Sequence, residues 1–349
     1  MRKTFLLKLT AVSIGILISL LLAEIFLRIQ NFVELEGFRN ESPWNEVLHH
    51  GTGKFVVTDY GANCNDDKMK ILLLGDSWME DDYLGGTIGQ QFANKSGRCV
   101  QTVNGGNSSY SPTLYLLHAR QAFNTYGNFD YIIVNIDETD IGDEWLRCRI
   151  PTVRDTSGKI VAVPYDHDIG AQYLWNGKLW AENSSLYIIR LIKFAYYYKI
   201  LVPSFYRFTE SPDFYSNLMQ YVFAPDAASL YTTEHQHFEG RLLEMSSELK
   251  SFTSDTSASH VYVTYHPHLR GIVDSVEGGH LYLPIVSEML ARLQEKSGVM
   301  VLDARDHFRQ IHGKGFPANT YEPDDPFSHL VAGGAVRYGE WIAGKVDLE

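Results

Sequence analysis

From residue 66 onward, short apolar runs alternate with longer stretches of mixed polarity. Residues 70–74, 100–103, 131–136, 260–265 and 299–302 each read as a strand. Each is short, rich in branched or aromatic side chains and bounded by turn formers. Residues 87–96, 111–126, 228–253 and 333–346 carry helical character, with Pro112 at a first turn, where its missing N–H costs nothing. Runs that are apolar on both faces and alternate with helices predict an α/β fold: a parallel sheet covered on both sides.

The stretch from about 150 to 227 breaks this rhythm. Residues 153–163 read as a hairpin turning at Ser157-Gly158. Residues 186–201, which include Tyr187-Ile188-Ile189-Arg190-Leu191-Ile192-Lys193-Phe194, read as a helix rich in apolar and aromatic residues. Such a helix packs on the sheet, or it presents a lid, a glycan-facing surface or a face that rests on a membrane. At the N-terminus, Arg2, Lys3 and Lys8 precede an uncharged run from Leu9 to Ala23, and Ile25-Phe26-Leu27 follows Glu24. The apolar length approaches the ~20 residues that span a bilayer. Lysine and arginine ahead of it predict a cytoplasmic N-terminus and an extracytoplasmic, periplasmic remainder. A cleaved signal peptide is the competing reading. Cleavage after Ala23 would set Leu21 where a small residue is preferred, so an uncleaved signal anchor is expected. The plan is an anchor over 1–30, a juxtamembrane linker over 31–65, and an α/β domain over 66–346 with an insertion at about 150–227.

With 349 residues, 45% of them hydrophobic, the chain can bury a sizeable core. Its net charge of -12 excludes a general nucleic-acid surface, which needs clustered Lys and Arg. The 21 Tyr, 18 Phe and 6 Trp serve either as core or as platforms for sugar rings. There is no phosphate-binding Gly-x-x-x-x-Gly-Lys loop and no dinucleotide fingerprint, so no nucleotide cofactor is expected. Of the three cysteines, Cys64 lies just before the first strand and Cys99 at the start of the next, an arrangement that lets neighbouring strands bring the two together and leave Cys148 free. Sequence leaves the pairing open. No cysteine–histidine spacing matches a structural zinc site.

Candidate chemistry sits at the end of the first apolar strand, where Met69–Leu74 runs into Gly75-Asp76-Ser77-Trp78. Ligands of open α/β sheets bind at the carboxyl ends of strands, and a serine delivered there is a nucleophile if a histidine reaches it. Asp324-Asp325-Pro326-Phe327-Ser328-His329 supplies such a histidine from the far end of the chain. His266 and His268 follow another strand at the same rim. They suit substrate contact or structure better than metal binding, since two imidazoles lack a fixed carboxylate beside them.

These blocks resemble those of the SGNH/GDSL hydrolase superfamily, in particular its exported, membrane-anchored bacterial members. The resemblance covers roughly residues 66–346 and implies a flavodoxin-like three-layer α/β/α sandwich. It implies Ser77 as nucleophile, His329 as general base and Asp325 as the residue orienting it, with Asp324 as the alternative. The Asp325-to-His329 spacing is one residue longer than the family's. The oxyanion hole implied is the backbone N–H of Ser77, the backbone N–H of Gly106 in Asn104-Gly105-Gly106-Asn107, and the hydroxyl of Thr139, which stands where the family has asparagine. Asp140 aligns with the family aspartate, and Trp78, Asp140, His266 and His268 are expected to contact substrate. The activity implied is that of an esterase or O-acyltransferase without cofactor or metal. Its substrate would be an acylated cell-surface glycan or another ester, and the transferase form would draw on a membrane partner as acyl donor. Two other readings stand beside it: a non-catalytic glycan-binding protein on this scaffold, and a lipid esterase or thioesterase at the membrane.

Overall fold

The computed structural model describes residues 2–29, 48–49, 53–61, 64, 68–80, 82–137, 139–148, 152–164, 180, 186–196, 199–200, 233–253, 260–267, 283–312 and 329–348. His268, Asp324 and Asp325 lie outside the described residues. The chain forms two compact units: Met1–Leu48 with Pro164–Phe214, and His49–Val163 with Tyr215–Glu349.

In chain order the elements start with α1 (Arg2–Ile29), β1 (Val56–Tyr60), β2 (Met69–Leu74), the short α2 (Ser77–Glu80), α3 (Asp82–Ser96) and β3 (Val100–Asn104). There follow α4 (Pro112–Tyr126), β4 (Tyr131–Ile136), α5 (Thr139–Asp143), β5 (Val153–Arg154), β6 (Ile160–Pro164) and α6 (Tyr187–Tyr196). The chain closes with α7 (Thr233–Leu249), β7 (Val261–Tyr265), α8 (Leu283–Ser297), β8 (Met300–Asp303), α9 (Arg305–His312) and α10 (Ala332–Lys345).

In the first unit, Thr10–Arg28 of α1 is long and apolar enough to cross a membrane, as an anchor or a signal sequence does. The second unit holds a six-stranded sheet in the order β1–β3–β2–β4–β7–β8. The pairs β3–β2, β2–β4, β4–β7 and β7–β8 are parallel. This is the doubly wound arrangement, with the topological switch between β2 and β4. Val56–Tyr60, in the stretch read from sequence as linker, adds to the edge antiparallel to β3. A disulfide joins Cys64 to Cys99, and Cys148 is buried outside it, with Ser111 Oγ 3.5 Å from its sulfur. Residues 153–163 form the expected hairpin: the Asp155 carboxylate accepts from Ser157 N, Ser157 Oγ and Lys159 N, and Gly158 takes φ 87°.

Both sheet faces are buried, which is why the strands lack polar alternation. Ile71, Leu73 and Ile133 pack on one side with Leu84, Ile88 and Phe92 of α3 and Tyr338 and Ile342 of α10. The helices approach closely at Gly339, where a Cβ would lie 2.8 Å from Thr87 Cβ. Leu72, Leu74, Ile132 and Val134 point to the other face and are fully buried. On that side α4 packs against α7.

The start of α4 is held by a carboxylate from a distant segment. Glu144, fully buried, accepts from Thr113 N at 3.0 Å, Thr113 Oγ1 at 2.6 Å and Ser111 Oγ at 2.8 Å. It thus caps donors that the first turn of a helix leaves open. His237 Nε2 lies 3.3 Å and Arg241 Nε 3.6 Å from the same group, tying α7 to it. Burial alone would raise the Glu144 pKa. The hydrogen bonds from His237 and Thr113 and the charge of Arg241 outweigh it and hold the pKa below the ordinary value. An acid with a lowered folded-state pKa stabilises the fold above its unfolded pKa, and that contribution is lost as pH falls through the folded one. Glu144→Ala is therefore expected to cost about 3 kcal/mol at neutral pH, by leaving the start of α4 uncapped and removing one of the two carboxylates beside Arg241. Thermal melts of wild type and variant should converge as the pH falls below the usual glutamate range.

Candidate active site

β2, β3 and β4 end at one level: Leu73 pairs with Asn104 and Leu74 with Val134. The turns that follow therefore share one rim. After β2, Gly75 brings the chain against β4, where a Cβ would fall 3.2 Å from Asn135 O and 2.7 Å from Met79 Cβ. Asp76 then sets the turn. Its carbonyl accepts from Met79 N and Glu80 N, and its carboxylate accepts from Trp78 N at 3.0 Å. Ser77 becomes the first residue of α2, where its own N–H has no intrahelical acceptor.

The turn after β3 packs directly on α2. At Gly106 a Cβ would lie 2.3 Å from the Met79 carbonyl carbon and 2.4 Å from Glu80 N, so only glycine fits. Asn104 stitches the two turns together: its Nδ2 donates to Met79 O at 2.8 Å and its Oδ1 accepts from Gly106 N at 2.9 Å. Asn107 N donates to Gly75 O, and Ser108 N and Oγ both donate to Glu80.

Ser77 Oγ and His329 Nε2 are 2.8 Å apart across 252 residues of sequence. Both side chains are half-buried, so the pair is reachable from solvent. With the ring proton on Nδ1, Nε2 accepts the Ser77 proton, the relation a nucleophile and its general base require. His329 precedes α10, whose Tyr338 Oη donates to Asn135 Oδ1 at 2.8 Å, while Thr264 Oγ1 donates to the same atom at 3.0 Å. A polar residue within an otherwise apolar strand thus ties the helix after His329 to the sheet beneath Ser77.

Trp78, Asp140 and His266 are buried, at 4%, 0% and 0% exposure. The expectation that they meet substrate is corrected accordingly: they build the floor of the site. The His266 ring lies 3.6 Å from that of Trp78 and packs on Phe308 and Tyr338, because His266 N bonds Ile136 O and turns the residue inward. Two of the expected oxyanion donors are engaged within the protein. Gly106 N–H faces Asn104, and the Thr139 hydroxyl and N–H both donate to Asp137 Oδ1 at 2.6 Å.

Asp76, Asp137 and Asp140 bring three carboxylate atoms within 4.8 Å of one another in a buried position below Ser77. A divalent cation bridges such sets, but the oxygens here are turned to backbone and side-chain donors. Asp140 Oδ2 faces Asp137 N at 3.3 Å. Its Oδ1 lies 3.0 Å from Tyr115 Oη, which lies 3.0 Å from Tyr110 O as well. The Tyr115 hydroxyl is shared between the Tyr110 carbonyl and the Asp140 carboxyl, both of which accept. Burial pushes the Asp140 pKa well above the ordinary range, and the charges of Asp137, Asp76 and Asp143 push the same way. A proton shared in this cluster relieves the repulsion of like charges.

Of the residues singled out from the sequence, Ser77 meets His329, Gly106 packs on the turn that carries Ser77, His266 stacks on Trp78, and Thr139 and Asp140 follow the neighbouring strand β4. Sequence reading did not single out Asn104, Tyr115 or the anchoring role of Asn135. The signals were an amide ahead of a glycine pair and an amide inside an apolar strand.

Neither a family model nor a curated protein matches the sequence. Solved structures align at low similarity. An acetylxylan esterase from Geobacillus stearothermophilus aligns at 10% identity with TM-score 0.41, over 80% of this chain and 95% of its own. LAE5, an α/β hydrolase enzyme from the metagenome of Lake Arreo, Spain, aligns at 13% identity with TM-score 0.41, over 80% and 97%. The acetyl xylan esterase AlAXEase aligns at 12% identity with TM-score 0.39, over 79% and 96%. At these values the likeness carries no conclusion about chemistry, and the reading of the site rests on its own geometry.

A carboxyl with a raised folded-state pKa supports the fold below its unfolded pKa, and that support is lost as the pH rises through the folded value. Asp140→Asn, a neutral mimic of the protonated acid, should therefore gain stability relative to wild type as pH increases. The expected difference is near zero at the usual Asp pKa and about 1 kcal/mol, a few degrees in melting temperature, under mildly alkaline conditions. A pH-independent difference between the two melts would show that Asp140 carries no such proton.

Proposed function

We propose that the chain is a membrane-anchored serine esterase or O-acyltransferase whose site faces the extracytoplasmic side. The observation that carries the chemistry is the 2.8 Å hydrogen bond between Ser77 Oγ and His329 Nε2, at the carboxyl rim of a doubly wound sheet. The anchor is supported by Thr10–Arg28, and its orientation by the positive charge ahead of it.

His329 takes the Ser77 proton as Oγ attacks the ester carbonyl. The oxyanion forms against the N–H of Ser77 and, shared with Asn104, that of Gly106. Such donors contribute about 3 kcal/mol each, because they face charge that appears only in the transition state. Collapse returns the proton from His329 to the leaving alkoxide and leaves an acyl-serine. His329 then deprotonates water or a substrate hydroxyl, which takes the acyl group and frees Ser77. Hydrolase and transferase differ only in which acceptor is held there. We assign Asp325 to orient the imidazole on sequence spacing, and Thr139 to hold Asp137 rather than the oxyanion. The substrate class in this reading is an O-acyl ester of a cell-surface glycan, consistent with a site outside the cytoplasm. A membrane protein supplying acyl groups belongs to the transferase form.

Full-length protein in detergent should hydrolyse 4-nitrophenyl acetate, with Ser77→Ala and His329→Ala each losing about a thousandfold or more. Turnover equal in wild type and variants would instead favour a glycan-binding protein on this scaffold.

A further inference from the structure

The first unit carries a helix whose apolar side is turned outward. In α6, Ile192 is 63% exposed, Tyr196 44%, Leu191 42% and Ile189 40%. At 3.6 residues per turn, Ile188, Leu191, Ile192, Ala195, Tyr196 and Ile189 occupy one continuous arc. Arg190 and Lys193 fall on the remaining arc. A soluble surface rarely exposes a stripe of this kind without a partner.

The contacts of α6 with α1 indicate what covers it. Glu24, within the apolar stretch of α1, is 8% exposed. Its two carboxylate oxygens accept from Tyr187 N and Ile188 N, each at 3.1 Å, and so cap the start of α6. Arg28 Nε donates to the same carboxylate at 2.8 Å, and the Arg28 guanidinium lies 5.4 Å from the Tyr187 ring centroid. An ionisable group in a spanning helix is costly unless paired, and here a guanidinium and two backbone N–H groups pair it.

The cap fixes the depth of α6. Glu24 precedes Arg28, the end of the apolar stretch, by four residues, or about 6 Å of helix. Interfacial helices bury their apolar face ~5–10 Å into the boundary of headgroups and acyl chains. The aromatic and basic residues suit the same level: Lys193 Nζ sits 4.8 Å from the Trp180 ring centroid, and Trp180 packs edge-on to Tyr196. Tyrosine, tryptophan and snorkelling lysine concentrate at that boundary.

We propose that α6 is an interfacial membrane helix, clamped by Glu24 at the exit of the spanning helix, with Ile189, Leu191, Ile192 and Tyr196 inserted among the lipids of that leaflet. The proposal rests on the reading of α1 as a membrane anchor. The unit is then held at its first helix and again along α6, which restricts tilting about a single span.

The test uses the full-length chain with Ile192→Cys or, on the opposite arc, Arg190→Cys, each labelled with the environment-sensitive dye NBD without reductant so that the disulfide stays closed. The proteins are reconstituted into phosphatidylethanolamine–phosphatidylglycerol vesicles, with and without lipids brominated on the upper acyl chain. The expected result is alkali-resistant retention in the vesicles, together with loss of about half the NBD emission at 192 and little at 190. Retention with water-like, unquenched emission at 192 overturns the interfacial helix and leaves the anchor standing. Blue-shifted emission that brominated lipid does not quench places protein, such as a second copy, on this face and also overturns it. Release of the chain by alkali overturns the anchor and this proposal together.

Discussion

The contact between Ser77 and His329 joins two ends of the second unit, and it exists only because three parallel strands finish at one level. Register does most of this work. Leu73 opposite Asn104 and Leu74 opposite Val134 leave the next few residues of each strand at the same rim. Side-chain size does the rest. Gly75 lets the Ser77 turn close on β4, and Gly106 lets the neighbouring turn lie on the Met79–Glu80 peptide. A methyl group at Gly106 would meet backbone atoms that cannot move without moving Ser77. His329 is placed from above by α10, which Tyr338 pins to Asn135 in the central strand.

Beneath this pair lies a cluster of like charges that pushes the Asp140 pKa well above its ordinary range. Asp76 and Asp137 are both used as local acceptors, for Trp78 N in one turn and for Thr139 in the other. Adding Asp140 within the same small volume would set three negative charges beneath the serine proposed as nucleophile. Burial and the charges of Asp137 and Asp76 push the Asp140 pKa well up, which favours its neutral form, while the Tyr115 hydroxyl donates to it. Glu144, close by in sequence, shows the opposite solution: it stays charged because a helix start, His237 and Arg241 surround it. Two buried acids four residues apart thus have their pKa values pushed in opposite directions by their partners.

The sheet was legible because its strands are apolar on both faces. The candidate serine was legible because Gly-Asp-Ser ends one of those strands. Strand Val56–Tyr60 escaped notice because an edge strand needs no continuous apolar run; three of its five residues, Val56, Val57 and Asp59, remain exposed. The floor of the site was misread for a related reason. Trp78 and His266 look like binding residues from their types, but whether such a ring meets solvent or stacks on another depends on the turn that follows the strand. The raised pKa of Asp140 was out of reach, since it depends on three carboxylates and a phenol from three separate segments. The outward face of α6 was readable as a periodic pattern, whereas its clamp to Glu24 became visible only in three dimensions.

The central claim is that His329 activates Ser77 as a nucleophile. Reaction of the full-length protein with a fluorophosphonate, followed by peptide mapping in a mass spectrometer, tests it most directly. The account predicts one covalent adduct, on Ser77, formed rapidly in the wild type and suppressed in His329→Ala. Absence of any adduct on Ser77, or labelling that His329→Ala leaves unchanged, would contradict it.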